Sequence, residues 1–359
     1  MSGVRTLAWA AFVALAACGG PRPQSLTAEH VALAGAREPQ QRYVDLGTCA
    51  LESGQTIEGC RIGYRTFGTL DGAKSNVVLW PTWFTGTTKS LEKSGLPLSL
   101  VDTSKYHLVL VDALADGVST APSNSTTQPR LAFPAITIRD MVTSQKRLLE
   151  KLGIARPHAV MGISMGGMQA LEWSVAYPEV PARVISIVGT PQLSSHDLLL
   201  WNAELHALTG DAAYENGNYE GRPSLRALLD IHHMMLVTPE HRAKETSRAE
   251  FAEWLSKQES DLGFDWNDWR RQLEAMLVHD VAKQDGGDLA RAAKRVKAKT
   301  LVVVADQDHM VSPFTAKIWA GAVPGAKLVT FDTPCGHFAP GCEKAKLGEA
   351  VKAFLDAPE

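Results

Sequence analysis

The sequence lacks a strong excess of charge. Its 36 lysines and arginines stand against 39 aspartates and glutamates, a net charge of −3, and no long basic stripe is present. Nothing draws such a chain broadly toward nucleic acid, and none is expected as a partner. A bilayer-spanning run is also missing: the apolar stretch Leu7–Ala17 has 11 residues, where a spanning helix needs roughly 20. No internal repeat is visible, which sets aside repeat arrays. Cysteine is scarce, 5 in 359 residues, and no two cysteines have C-x-x-C spacing, so a redox motif of that kind is excluded. What is abundant is apolar side chain: 45% of 359 residues can bury a sizeable core, in one large domain or two modest ones.

The first residues, MSGVRTLAWAAFVALAACGG, place an amino terminus and Arg5 ahead of the apolar run. That pattern reads as a signal peptide over residues 1–17 rather than a membrane anchor. The run ends in Leu15-Ala16-Ala17-Cys18, which resembles the lipobox of bacterial lipoproteins. The resemblance implies cleavage before Cys18, lipid on that residue, and an exported, membrane-anchored protein facing periplasm or cell exterior. Residues 18–40, polar and rich in Pro and Gly at their start, read as a tether to the folded body.

Four cysteines remain, in two local pairs, and in an exported protein such pairs read as disulfides. Cys49 and Cys60 lie on extended segments flanking Glu52-Ser53-Gly54-Gln55, so a staple across a β-hairpin is expected. Cys335 and Cys342 enclose His337 in PCGHFAPGC, a stretch too rich in Gly and Pro for a helix to be expected. Zinc would want four ligands where the loop offers three, so no metal is assigned. A bridge closing so short a loop is worth about 2–3 kcal/mol and holds the histidine in place.

The body alternates short, continuously apolar runs with helical patterns. Residues 77–80, 107–111, 158–161, 184–188, 300–305 and 327–331 read as strands. Strands without polar alternation indicate an α/β fold with a mostly parallel sheet covered on both faces. Thr137-Ile138-Arg139-Asp140 resembles a capping box opening a helix that Gly153 should end. From 192 to 299 the alternation stops; the segment is charged, helical in pattern, and carries Trp201, Trp254, Trp266 and Trp269. It is expected to form a helical cap over a pocket, interrupting a core built from residues 41–191 and 300–359.

Gly162-Ile163-Ser164-Met165-Gly166 is G-x-S-x-G, directly after a strand and before a helix. That placement marks Ser164 as a nucleophile on a sharp turn, with the Met165 amide facing the developing oxyanion. A serine hydroxyl needs a base, and in this arrangement the chain order is serine, acid, histidine. The segment after the 300–305 strand offers Asp306 and Asp308; Asp308, on the projecting loop, is preferred. His337 follows the next strand and is expected to be the base. The second oxyanion donor should be a backbone amide of the loop after the first core strand, at Phe84 or else Trp83. Trp83 is expected at the substrate pocket.

The blocks FPAITIRDMV and SMGGMQALEW, with DLGTCALESGQTIEGC, FDWNDWRRQLEAM and DHMVSP, resemble the homoserine O-acetyltransferase family of α/β-hydrolases over roughly residues 43 to 355. The resemblance implies an α/β-hydrolase fold, the triad Ser164, Asp308 and His337, and an acyl-enzyme formed from acetyl-CoA. Phe84 falls where the family usually has leucine in an H-A-L-T-G stretch. Phe338 stands where the family usually has an aspartate that holds the substrate amine, so the resemblance places it too at the substrate pocket, and the family's Y-x-x-G-x-x-F-x-x-R-F-D block is not intact. The expectation is therefore an esterase cleaving a small ester, with no cofactor. The alternatives are an O-acyltransferase using acetyl-CoA or another acyl donor with an alcohol acceptor, and, last, a non-catalytic lipoprotein. Dimerisation through the cap stays open.

Overall fold

The computed structural model describes residues 40–260 and 263–358. The segment expected to be a signal peptide, Cys18, and all of the expected tether except Gln40 lie outside the described residues. Eight strands form one sheet: β1 Arg42–Ala50, β2 Thr56–Phe67, β3 Val77–Pro81, β4 His107–Val111, β5 Ala159–Ile163, β6 Arg183–Ile187, β7 Lys299–Ala305 and β8 Lys327–Phe331. Their order is β1-β2-β4-β3-β5-β6-β7-β8. From β4 to β8 every neighbouring pair is parallel, while the β1–β2 hairpin adds antiparallel strands beside β4. The residues of β3, β5 and β6 are all buried, as strands covered on both faces must be. Strand order reverses between β3 and β5, which opens a crevice beyond their carboxyl ends.

The hairpin turn closes through hydrogen bonds between Leu51 and Gln55 (2.9 Å) and between Gly54 and Leu51 (2.9 Å), and the Cys49–Cys60 disulfide bridges its two strands. Helix α1, Ile138–Lys151, begins with the anticipated capping box. The Thr137 hydroxyl accepts from the Asp140 amide at 3.1 Å, and Asp140 accepts from the Thr137 amide at 2.9 Å. The second Asp140 oxygen accepts from the Glu52 amide at 2.8 Å, so one carboxylate caps the helix and anchors the hairpin turn. Gly153, at φ +69°, ends the helix, in a region that favours glycine.

Helix α2, Met165–Ala176, is buried along nearly its whole length. It is fastened to α1 by hydrogen bonds from Gln145 to Gln169 (2.6 Å) and from the Trp173 indole to Gln145 (2.8 Å). Between β6 and β7 stand the cap helices: α3 Ser195–Gly210, α4 Arg226–Leu236, α5 Pro239–Glu245, α6 Phe251–Ser260 and α7 Trp266–Leu277. Three of the four cap tryptophans, Trp201, Trp266 and Trp269, are buried.

The stretch 334–342 departs from expectation, because it is helical. Gly336–Phe338 forms a 3-10 turn and Ala339–Cys342 one α-helical turn. Pro340 falls in the first turn, where its missing N–H is an orphan anyway. Gly336 takes φ +58° to enter, and the Cys335–Cys342 disulfide ties the two ends together.

Replacing Asp140 with alanine removes both accepted backbone hydrogen bonds at once, from the Thr137 and Glu52 amides. The Asp140→Ala protein should lose about 2 kcal/mol of unfolding free energy, read in urea as a lower midpoint at unchanged slope.

Candidate active site

Strand β5 runs into α2 through a turn in which Ser164 takes φ 58° and ψ −124°. This strained conformation is imposed by its surroundings. A Cβ on Gly162 would fall 2.3 Å from Gly166 backbone atoms, and one on Gly166 would fall 2.7 Å from the Pro81 carbonyl. The Ser164 amide donates to Ile187 O at 2.9 Å, which pins the turn to β6. The hydroxyl is thereby held at the carboxyl edge of the sheet, at the start of a helix.

His337 Nε2 lies 2.9 Å from Ser164 Oγ, and His337 Nδ1 lies 2.7 Å from Asp308 Oδ2. The other Asp308 oxygen accepts from the amides of Met310 (2.9 Å) and Val311 (3.0 Å), so this carboxylate has a fixed orientation. All three side chains are under a tenth exposed. Asp306, the other acid considered from sequence, points away and pairs with Lys317 at the surface. A serine–imidazole–carboxylate chain of this kind can move a proton from the hydroxyl to the ring.

The loop after β3 supplies the facing wall. Thr85 takes φ +63°, and its amide donates to the Gln272 side chain of α7 at 3.0 Å. The Phe84 and Met165 amides have no hydrogen-bond acceptor among the described residues. The Phe84 ring packs edge-on against Trp201 and Trp269. Gln169 donates to the carbonyls of Thr82 (3.0 Å) and Met165 (3.2 Å), tying this loop to the first turn of α2. Trp83, Phe84, Ser164, His337 and Phe338 all line one cavity of about 380 Å³, Phe338 being half exposed.

Sequence reasoning missed several participants. Gln169 carried a weak signal, a polar residue four positions after Met165 in a mostly apolar helix. Gln272, Glu204 and His232 carried none, because nothing in their spacing links the cap to the sheet. Glu204 Oε1 lies 3.1 Å from His232 Nδ1, and His232 lines the same cavity.

Comparison with known proteins agrees with this geometry. The alpha/beta hydrolase fold family matches residues 84–340. The chain is 33% identical over 329 residues to an ethyl acetate hydrolase of Pseudomonas veronii, covering 87% of this chain and 93% of that protein. It is 30% identical over 356 residues to a homoserine O-acetyltransferase of Thermobifida fusca, covering 88% and 93%. The crystal structure of an acetylester hydrolase from Corynebacterium glutamicum superposes with a TM-score of 0.80 at 26% identity, covering 89% of this chain and 96% of that one.

The Cys335–Cys342 bridge brackets the turn that carries His337. In the Cys335→Ser/Cys342→Ser protein, kcat should fall about tenfold or more, while unfolding free energy falls by no more than about 2–3 kcal/mol. An unchanged kcat would show that the staple has no catalytic role.

Proposed function

The chain belongs to the α/β hydrolase fold family, and from that premise we propose that it is a serine esterase cleaving small esters through an acyl-enzyme. The observation that carries this reading is the cavity at the Ser164–His337 pair. Among the described residues its lining includes no Asp, Glu, Lys or Arg, so it offers apolar walls to carbon chains and no carboxylate, ammonium or guanidinium to an amino-acid zwitterion.

His337 Nε2 takes the Ser164 proton as Oγ attacks the ester carbonyl. The carbonyl oxygen becomes an oxyanion facing the amides of Met165 and Phe84, whose partner-free state supports that role. Asp308 holds the ring in the productive tautomer and stabilises the imidazolium. The imidazolium then gives its proton to the leaving alkoxide, so an alcohol departs and the acyl group stays on Ser164. Water, activated by the same imidazole, releases the acid and restores the serine.

A second reading, an O-acyltransferase, is favoured by the 30% identity to a homoserine O-acetyltransferase. It shares every step up to the acyl-enzyme and differs in the attacking hydroxyl. Phe338 speaks against homoserine as acceptor, because an apolar ring at the cavity does not pair an ammonium group. We also place the protein outside the cytoplasm as a lipoprotein modified on Cys18. The two disulfides support an oxidising compartment, and that reading predicts fatty-acid labelling lost in the Cys18→Ala protein.

Hydrolysis of 4-nitrophenyl acetate should fall about 10⁴-fold or more in Ser164→Ala and about 10³–10⁴-fold in Asp308→Asn. Ser164→Ala should also lose labelling by a fluorophosphonate. Adding homoserine or a simple alcohol should leave the wild-type rate of ester loss unchanged. Acceleration with the acyl group recovered on the alcohol would establish the transferase instead.

A further inference from the structure

A second carboxylate–imidazole pair faces the cavity that holds Ser164 and His337. Glu204 of α3 is fully buried, and its Oε1 lies 3.1 Å from Nδ1 of His232 on α4. The His232 ring is set between aromatic rings, 4.9 Å from Trp269 and 6.0 Å from Phe84 by centroids. Its Nε2 has no hydrogen-bond partner among the described residues, and neither does Glu204 Oε2. Burial holds the Glu204 carboxyl above its ordinary range, an effect that His232 offsets only in part.

Packing alone is a poor reason for such a pair. Two polar groups withdrawn from water cost desolvation that apolar side chains of the same volume would avoid. The arrangement repeats the Asp308–His337 logic: a carboxylate engages one ring nitrogen and sets the ring so that the other nitrogen is presented. The adjacent His233 does not share this role. It lies outside the lining of this cavity, packs against Trp254, and is pushed down to about 4 by burial.

We propose that His232, oriented by Glu204, is a specificity-determining residue that hydrogen-bonds a hydroxyl group carried by the ester, so that the favoured substrates are short hydroxy-substituted esters. The inference deepens the esterase reading and rests on it. With the proton on Nδ1, the free Nε2 accepts; with the proton supplied by Glu204, Nε2–H donates. A hydroxyl satisfies either state, and a plain alkyl chain satisfies neither. Closing an alkyl chain over Nε2 leaves a polar group dry and unpaired, which penalises the plain ester relative to its hydroxylated analogue. Around this one point the wall is largely hydrocarbon and aromatic, from Leu96, Ile163, Leu236 and Met310 to Trp83 and Trp201, and outside the Ser164–His337 pair Thr85 is the other polar side chain of the lining among the described residues.

The test uses two matched pairs, ethyl butanoate with ethyl 3-hydroxybutanoate and butyl acetate with 3-hydroxybutyl acetate, covering the acyl and alcohol sides. The quantity read is the ratio of kcat/KM, hydroxylated over plain, in wild type and variant, which cancels the intrinsic reactivity of each ester. In His232→Leu the ratio should fall about tenfold for at least one pair, with Glu204→Gln intermediate and His232→Gln closest to wild type. If His232→Leu does not fold, His232→Phe, which keeps an aromatic ring, reads the same ratio. Ratios within about twofold of wild type for both pairs, with all four esters turned over, overturn this assignment alone. Wild-type inactivity on all four overturns the esterase reading and this assignment with it.

Discussion

A serine held at φ 58° is worth about 1–3 kcal/mol of backbone strain, and the rest of the site is arranged around keeping it there. The strain is contained by three close approaches. Gly162 lies against Gly166, Gly166 against the Pro81 carbonyl, and Gly167 against Ser186. No larger residue fits these places, so the local sequence and the turn geometry specify each other. The Ser164 amide reaches across to β6, which makes the sheet itself the support for the hydroxyl. A nucleophile on a relaxed loop would have to be positioned at each encounter; here that cost is met on folding.

The same reasoning explains why the cap is more than a cover. The loops carrying Asp308, His337 and Phe84 are each hydrogen-bonded to it. The Ser312 amide, just past Asp308 and Val311, donates to Asp197 at the start of α3 at 2.8 Å. Pro334 O, three residues before His337, accepts from the Thr238 hydroxyl at 2.6 Å. Thr85, beside Phe84, is held by Gln272 of α7. Thus the acid, the base and the facing wall are braced by elements that lie between β6 and β7 in the chain. These contacts join cap packing to the triad, and the cap aromatics Trp201 and Trp269 pack against Phe84 at the cavity wall.

Legibility in the sequence followed the range of the interaction involved. The parallel sheet could be read from continuously apolar runs, since full burial leaves a local mark. The Ser164 turn could be read because strained backbone demands glycine at fixed offsets. Asp308 was separable from Asp306 by its place on the projecting loop. The helical form of 334–342 was not readable from composition. Whether Pro and Gly are tolerated there depends on Pro340 lying in a first turn, on the disulfide, and on the closeness of Gly336 to Leu236 and Val237 of the cap. Gln272 and the Glu204–His232 pair belong to contacts between distant segments, and no periodicity announces those.

What separates hydrolysis from transfer in such a site is the identity of the second nucleophile, not the triad. Once the acyl group is on Ser164, water and an alcohol compete for the same imidazole, and the winner is whichever is held within its reach. A cavity that pairs both charges of an amino acid raises the local concentration of that acceptor by binding it. This cavity, lined mostly by apolar side chains and by no Asp, Glu, Lys or Arg among the described residues, has no such hold on a zwitterion. Water needs none, being present at high concentration wherever the mouth is open, and the half-exposed Phe338 leaves the site in contact with solvent. On the proposed esterase reading, the balance between the two outcomes lies in the cap and in the residue after His337, while the catalytic chain of Ser164, His337 and Asp308 would serve both.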